Sequence, residues 1–123
     1  MRRDFRFILV LTVSIVIALG CTAVQAGQGK IMETLKGSGL HEDCEELTPG
    51  QVLDYQFESS KPLDFNIHYH DDSGISYPVK KDNIAKDQGV FRPDKKQFYC
   101  LMWTNPGSTP VEISYTKMIR KEQ

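Results

Sequence analysis

From Gln51 onward the chain alternates between apolar and polar positions with a period of two. Leu53, Tyr55 and Phe57 fall on one face of a segment whose other face carries Asp54 and Gln56. The scheme returns in Leu63, Phe65, Ile67 and Tyr69 against Asp64, Asn66, His68 and His70, and again in Val111, Ile113 and Tyr115 against Glu112, Ser114 and Thr116. Successive strand residues point to opposite faces, so this pattern predicts strands of an antiparallel sheet with one side buried. Phe98-Tyr99-Cys100-Leu101-Met102-Trp103 is apolar on both faces and predicts a central, covered strand. Ile75–Val79 and Val90–Arg92 are shorter candidates, and Lys80–Gln88 between them reads as a polar connector.

Turn chemistry punctuates these runs: Thr48-Pro49-Gly50, Ser59-Ser60-Lys61-Pro62, Asp71-Asp72-Ser73-Gly74 and Asn105-Pro106-Gly107-Ser108. Six to eight short strands with no helical periodicity predict an all-β fold, a small antiparallel β-sandwich of jelly-roll-like type. Its expected extent is residues 41–118, preceded by an N-terminal extension over 27–40 and followed by a charged tail over 119–123. Within the extension, Ile31, Met32 and Leu35 form one apolar cluster whose spacing fits a helical turn or an added strand.

The first 26 residues have a different character. Arg2, Arg3 and Arg6 precede Phe7–Leu19, 13 residues without a charge, which is shorter than the roughly 20 a helix needs to span a bilayer. A basic start, a short apolar run and small residues predict a cleaved signal peptide. Val24-Gln25-Ala26 before Gly27 fits ordinary cleavage after Ala26. Ile17-Ala18-Leu19-Gly20-Cys21 resembles a lipobox with Ala18 and Leu19 exchanged, and gives the alternative of lipidation at Cys21. The expected location is therefore the periplasm or the exterior, with the membrane reached only through that lipid anchor.

Past Ala26 the chain has 12 basic and 15 acidic residues, a net charge of −3, with no basic stripe of the kind a nucleic-acid partner needs. About 97 residues make one small domain. Cys44 and Cys100 are the two cysteines outside the leader, and in an oxidising compartment they are expected to pair as a disulfide, with a thiolate ligand at Cys100 as the alternative.

The chemistry-bearing candidates are few. His68 and His70 share a strand face about 6.6–7 Å apart, a spacing two imidazoles can close on one metal ion. Asp71, Asp72 or Met102 would complete the set, with copper or zinc as the cofactor. A dyad alone supplies at most half of a zinc shell, and the competing reading is two polar residues on a solvated face. His41-Glu42-Asp43-Cys44-Glu45-Glu46 reads as a solvated edge carrying the disulfide cysteine, with a further metal ligand or an acidic docking surface as the alternative. No Gly-x-Ser-x-Gly, His-Glu-x-x-His or phosphate-cradling glycine loop occurs, so no catalytic residue is assigned.

The order Pro49-Gly50-Gln51-Val52, Leu63-Asp64-Phe65-Asn66-Ile67, Gly89-Val90-Phe91 and Tyr99-Cys100-Leu101-Met102-Trp103-Thr104-Asn105, closed by Val111-Glu112-Ile113-Ser114-Tyr115, resembles the Golgi-dynamics (GOLD) β-sandwich cadence over roughly Cys44 to Met118. The resemblance implies a recognition module without enzymatic activity, binding a protein or small ligand, here at the cell envelope. The coiled coil and transmembrane helix of the membrane-bound relatives have no counterpart in this sequence, and the histidine pair is no part of the cadence.

Overall fold

The computed structural model describes residues 29–123; the leader expected over 1–26, with its alternative at Cys21, lies outside the described residues. Six strands make the fold: β1 (Ile31–Leu35), β2 (Leu40–Leu47), β3 (Gln51–Asp71), β4 (Gly74–Phe91), β5 (Gln97–Thr104) and β6 (Val111–Lys121). All pairings are antiparallel, and they form one sheet.

β3 is the spine. One of its edges is lined by β4 along nearly its whole length; the other takes β6 beside Gln51–Ser59 and β5 beside Asp64–His68. Between these two halves the ladder slips, with register shifts between Glu58 and Leu63. Pro62, which has no N–H to give, lies in this break, where extra residues bend a strand and increase its twist. Ser59 Oγ donates to the carbonyls of Lys61 and Ala85, and Asp64 Oδ1 accepts the N–H of Asn83, whose φ is 56°. These bonds satisfy backbone groups that the broken ladder leaves over.

The bend folds the sheet into two facing layers, β1-β6-β3-β4 and β2-β5-β3-β4. Leu53, Tyr55, Phe57, Ile113 and Tyr115 from the first meet Phe65, Ile67, Tyr99, Leu101 and Trp103 from the second in one buried cluster. The rings mesh: Phe57 lies 4.8 Å from Phe65 and Trp103 4.4 Å from Tyr115, centroid to centroid. Each such buried ring contributes about 1.5–3 kcal/mol through the area it removes from water. The all-β antiparallel sandwich expected from the alternation is what the chain forms.

Several segments differ from their sequence reading. Lys80–Gln88 is strand, not connector: Ile75–Val79 and Val90–Phe91 belong to the single 18-residue β4, and Arg92 lies just past its end. An outermost strand needs main-chain bonds from one neighbour only, so polar side chains do not exclude it, and Pro78, Lys80, Lys81 and Lys86 guard its free edge. Residues 31–35 take the strand alternative and join the sheet, with Leu35 buried and Ile31 packed on the core. β6 continues to Lys121, with Ile119 opposite Leu53, so the fold also runs past residue 118. β5 is central in pairing but covered on one face only, leaving Phe98 62% exposed.

Asn105, 1% exposed, ties the two ends of the sandwich rim. Its Nδ2 donates to the carbonyls of Leu35, Lys36 and Thr109, and its Oδ1 accepts from the N–H of Gly107. Gly37 sits so close to this loop that a Cβ there would fall 2.4 Å from the carbonyl oxygen of Ser108.

Candidate functional site on the disulfide face

The outer face of the β2-β5-β3 layer gathers most of the residues the sequence marked. Cys44 lies opposite Cys100, and Cys100 opposite His68, so the three occupy one row across the strands. Cys44 and Cys100 form a disulfide between directly facing positions, Cα to Cα 4.0 Å. The neighbouring row is Glu42, Met102 and Asn66. His70 follows His68 on the same face, with ring centroids 5.3 Å apart, and Tyr77 from β4 approaches His68 at 5.7 Å.

His68 is not a solvated residue. It is 3% exposed, and both ring nitrogens have partners: Nδ1 is 2.8 Å from Asn66 Oδ1, and Nε2 is 3.0 Å from Glu42 Oε1. Burial pushes its pKa below the ordinary histidine value against the opposing pull of the Glu42 carboxylate. His70 is exposed. Met102 is half-buried on the same face, one row from His68.

Asp71 and Asp72 are placed differently. Asp71 Oδ1 accepts from the backbone and hydroxyl of Ser73, and its other oxygen meets Lys95 Nζ at 3.1 Å. Those Ser73 bonds first, and Lys95 after them, hold its carboxyl below the usual range. Asp72 is exposed in the β3–β4 turn. The histidines and Met102 are thus brought to one face, while Asp71 is engaged with its own turn and Lys95.

Glu42 entered the sequence reading only as one member of the charged run over 41–46 and not as a named ligand. A signal for it existed: it lies two residues before Cys44, so any sheet pairing Cys44 with Cys100 also places Glu42 on the disulfide side. The alternate residues of the same strand turn inward. Tyr115 Oη donates to Asp43 Oδ2 at 2.9 Å and lies 2.9 Å from His41 Nε2, while Lys117 Nζ bridges Asp43 and Glu45. Burial and the nearby Asp43 carboxylate push the Tyr115 phenol up. Burial pulls Lys117 down, but Asp43 and Glu45 outweigh it and hold the ammonium above its ordinary value. The charged run over 41–46 is therefore half a cross-layer clamp and half the rim of the outer site.

Around His68 and the disulfide, exposed apolar side chains stand among the polar Glu42, Glu46 and His70. Phe98, two residues from Cys100 on the same side, Ile75 opposite His70, and Tyr77 beside His68 are 62%, 50% and 47% exposed. The opposite layer carries an open cleft of about 510 Å³ along Asp54, Gln56, Gln88, Val90, Thr116 and Met118. Its one carboxylate, Asp54, is already held by Arg120 at 2.6 Å.

No protein-family model matches the chain, and no curated protein matches it either. Solved structures share the fold, among them the following. A crystal structure of PirA superposes with a TM-score of 0.56 at 13% identity, covering 72% of this chain and 93% of its own. The PliG protein of Aeromonas hydrophila, a periplasmic lysozyme inhibitor of g-type lysozyme, superposes with a TM-score of 0.51 at 13% identity, covering 76% and 89%.

Proposed function

We propose that this protein is an exported, non-enzymatic binding module of the cell envelope that docks a protein on its disulfide face. The observation that carries the reading is the exposure of Phe98, Ile75 and Tyr77 on the outer face of a layer braced by the disulfide and by the Glu42–His68–Asn66 chain, in which His68 and Asn66 are buried. Aromatic and aliphatic anchors on a rigid floor are what protein hot spots are made of, and a grouped apolar patch is uncommon on a surface with no partner. The leader-like sequence before Gly27 supports export, and the GOLD-like cadence supports recognition.

The partner class we infer is a wall-cleaving hydrolase of the lysozyme type. Support comes from the fold shared with PliG, which inhibits g-type lysozyme from the periplasm. The test is titration of the purified protein into a g-type lysozyme while following lysis of wall fragments, with calorimetry in parallel. Saturable binding with loss of lysis, abolished by Phe98→Glu and unaffected by Val90→Glu on the other layer, is the expected result. Binding that survives Phe98→Glu overturns the face. No binding to any lysozyme type, with Phe98→Glu also failing to alter what the protein captures from envelope extracts, overturns the module.

A further inference from the structure

We infer that the disulfide face holds a latent zinc site, formed when the Cys44–Cys100 bond is reduced, with Cys44 Sγ, Cys100 Sγ, His68 Nε2 and a Glu42 carboxylate oxygen as its four ligands. The inference is independent of the docking role.

The geometry supplies the donors. Ligand atoms of Glu42, His68 and Cys100 all lie within 4.8 Å of one another, and Cys44 faces Cys100 directly across the ladder. Zinc bonds of about 2.0–2.3 Å place tetrahedral ligands roughly 3.3–3.8 Å apart, so these three need only small side-chain adjustments, while Cys44 Sγ, outside that group, must turn toward them once the S–S bond opens. Two thiolates, an imidazole and a carboxylate are a donor set that zinc accepts.

A second observation concerns the imidazole. Asn66 Oδ1 lies 2.8 Å from His68 Nδ1 and Glu42 Oε1 lies 3.0 Å from Nε2, so the ring is already turned with Nε2 toward the carboxylate, and a metal on Nε2 would take the place of the proton shared with Glu42. A carbonyl oxygen behind the distal nitrogen is also the arrangement that orients ligating histidines. Access is built in: Cys44 is exposed and the Glu42 side chain is 41% exposed, while His68 and Cys100 form the buried floor.

The chemistry balances. A thiol or phosphine reductant delivers two electrons, two protons are taken up, and the S–S bond becomes two thiols. Zinc then displaces both thiol protons and binds the thiolates, so metal uptake releases two protons. Reoxidation by a disulfide or other two-electron acceptor ejects the metal.

The experiment compares oxidised and phosphine-reduced protein, titrated with Zn²⁺ against a chromophoric chelator and with Co²⁺ as spectroscopic probe, while circular dichroism follows the strand signal. Reduction should tighten zinc binding at least a hundredfold and give Co²⁺ a tetrahedral, thiolate charge-transfer spectrum. His68→Gln and Cys100→Ser should each lose that spectrum, Glu42→Gln should weaken zinc about tenfold or more, and His70→Ala should leave affinity unchanged. Equal affinity in the two redox states, or a His68→Gln protein that binds as wild type does, overturns the site. Should reduction unfold the chain, zinc must restore the strand signal; failure to do so overturns it as well.

Discussion

Removing the disulfide by the double substitution Cys44→Ser/Cys100→Ser tests how the edge strand β2 is held. The bridge spans a sequence separation of 56 residues. The chain-entropy relation for a loop of that length gives about 14 cal/mol/K, or about 4 kcal/mol at room temperature. For a domain of this size a loss of that order lowers the melting temperature by about 15–30 °C. The structure adds where the loss is felt. β2 pairs with β5 alone, and beyond that ladder it is held by buried Leu47, by Glu42 on His68, and by the contacts of His41, Asp43 and Glu45 with Tyr115 and Lys117. Residues 40–47 should therefore open first, below the free energy of global unfolding. Urea melts followed by tyrosine and tryptophan fluorescence give the total, and amide hydrogen exchange gives its location. A loss under about 1 kcal/mol would refute the loop-closure reasoning. A full loss with protection falling evenly across β2, β3 and β6 would refute the claim that β2 depends on the bridge.

Other outcomes follow from the clamps. Lys117→Met leaves Asp43 and Glu45 facing each other without their cation and should cost about 2–3 kcal/mol at neutral pH, below a fully buried pair because Glu45 is partly exposed; thermal melts measure it. Lys117 is held above 10.5, so its contribution is complete below that pH and is lost as pH climbs through the higher folded value; the Met variant should show a flatter alkaline stability curve. The Tyr55 phenol, raised by burial and by Asp87 to about 12, should ionise last-but-late in an absorbance titration, and its share of stability should be whole below pH 10 and vanish across pH 10–12, a decline Tyr55→Phe removes. Asn105→Ala strands the buried carbonyl of Leu35 and removes the donor from the part-buried carbonyls of Lys36 and Thr109, and should cost about 1–3 kcal/mol in urea melts.

How far the sequence reached is clearest at β3. The alternation of Leu53, Tyr55 and Phe57, and of Leu63, Phe65 and Ile67, assigned both inward faces, because side-chain direction in a strand is local. That the two runs are one bent strand was not legible: Ser59-Ser60-Lys61-Pro62 reads as a turn by composition, and only tertiary pairing with β4 carries the chain through it. Lys80–Gln88 was missed for the same reason, since an outer strand takes its order from its neighbour and not from its own hydrophobicity. At the site, the shared face of His68 and His70 and the pairing of Cys44 with Cys100 were readable. The burial of His68 was not, because it depends on Glu42 and Tyr77, which reach it from two other strands.

The chain of the described fold enters through β1 and leaves through β6, which are neighbours in one layer, while the disulfide face belongs to the other. The molecule therefore has a back and a front. A tether, a fluorophore or a fused domain at either end attaches to the back, and immobilisation through the ends presents Phe98, Tyr77 and the His68 row outward in a single orientation, ready for capture on a sensor chip.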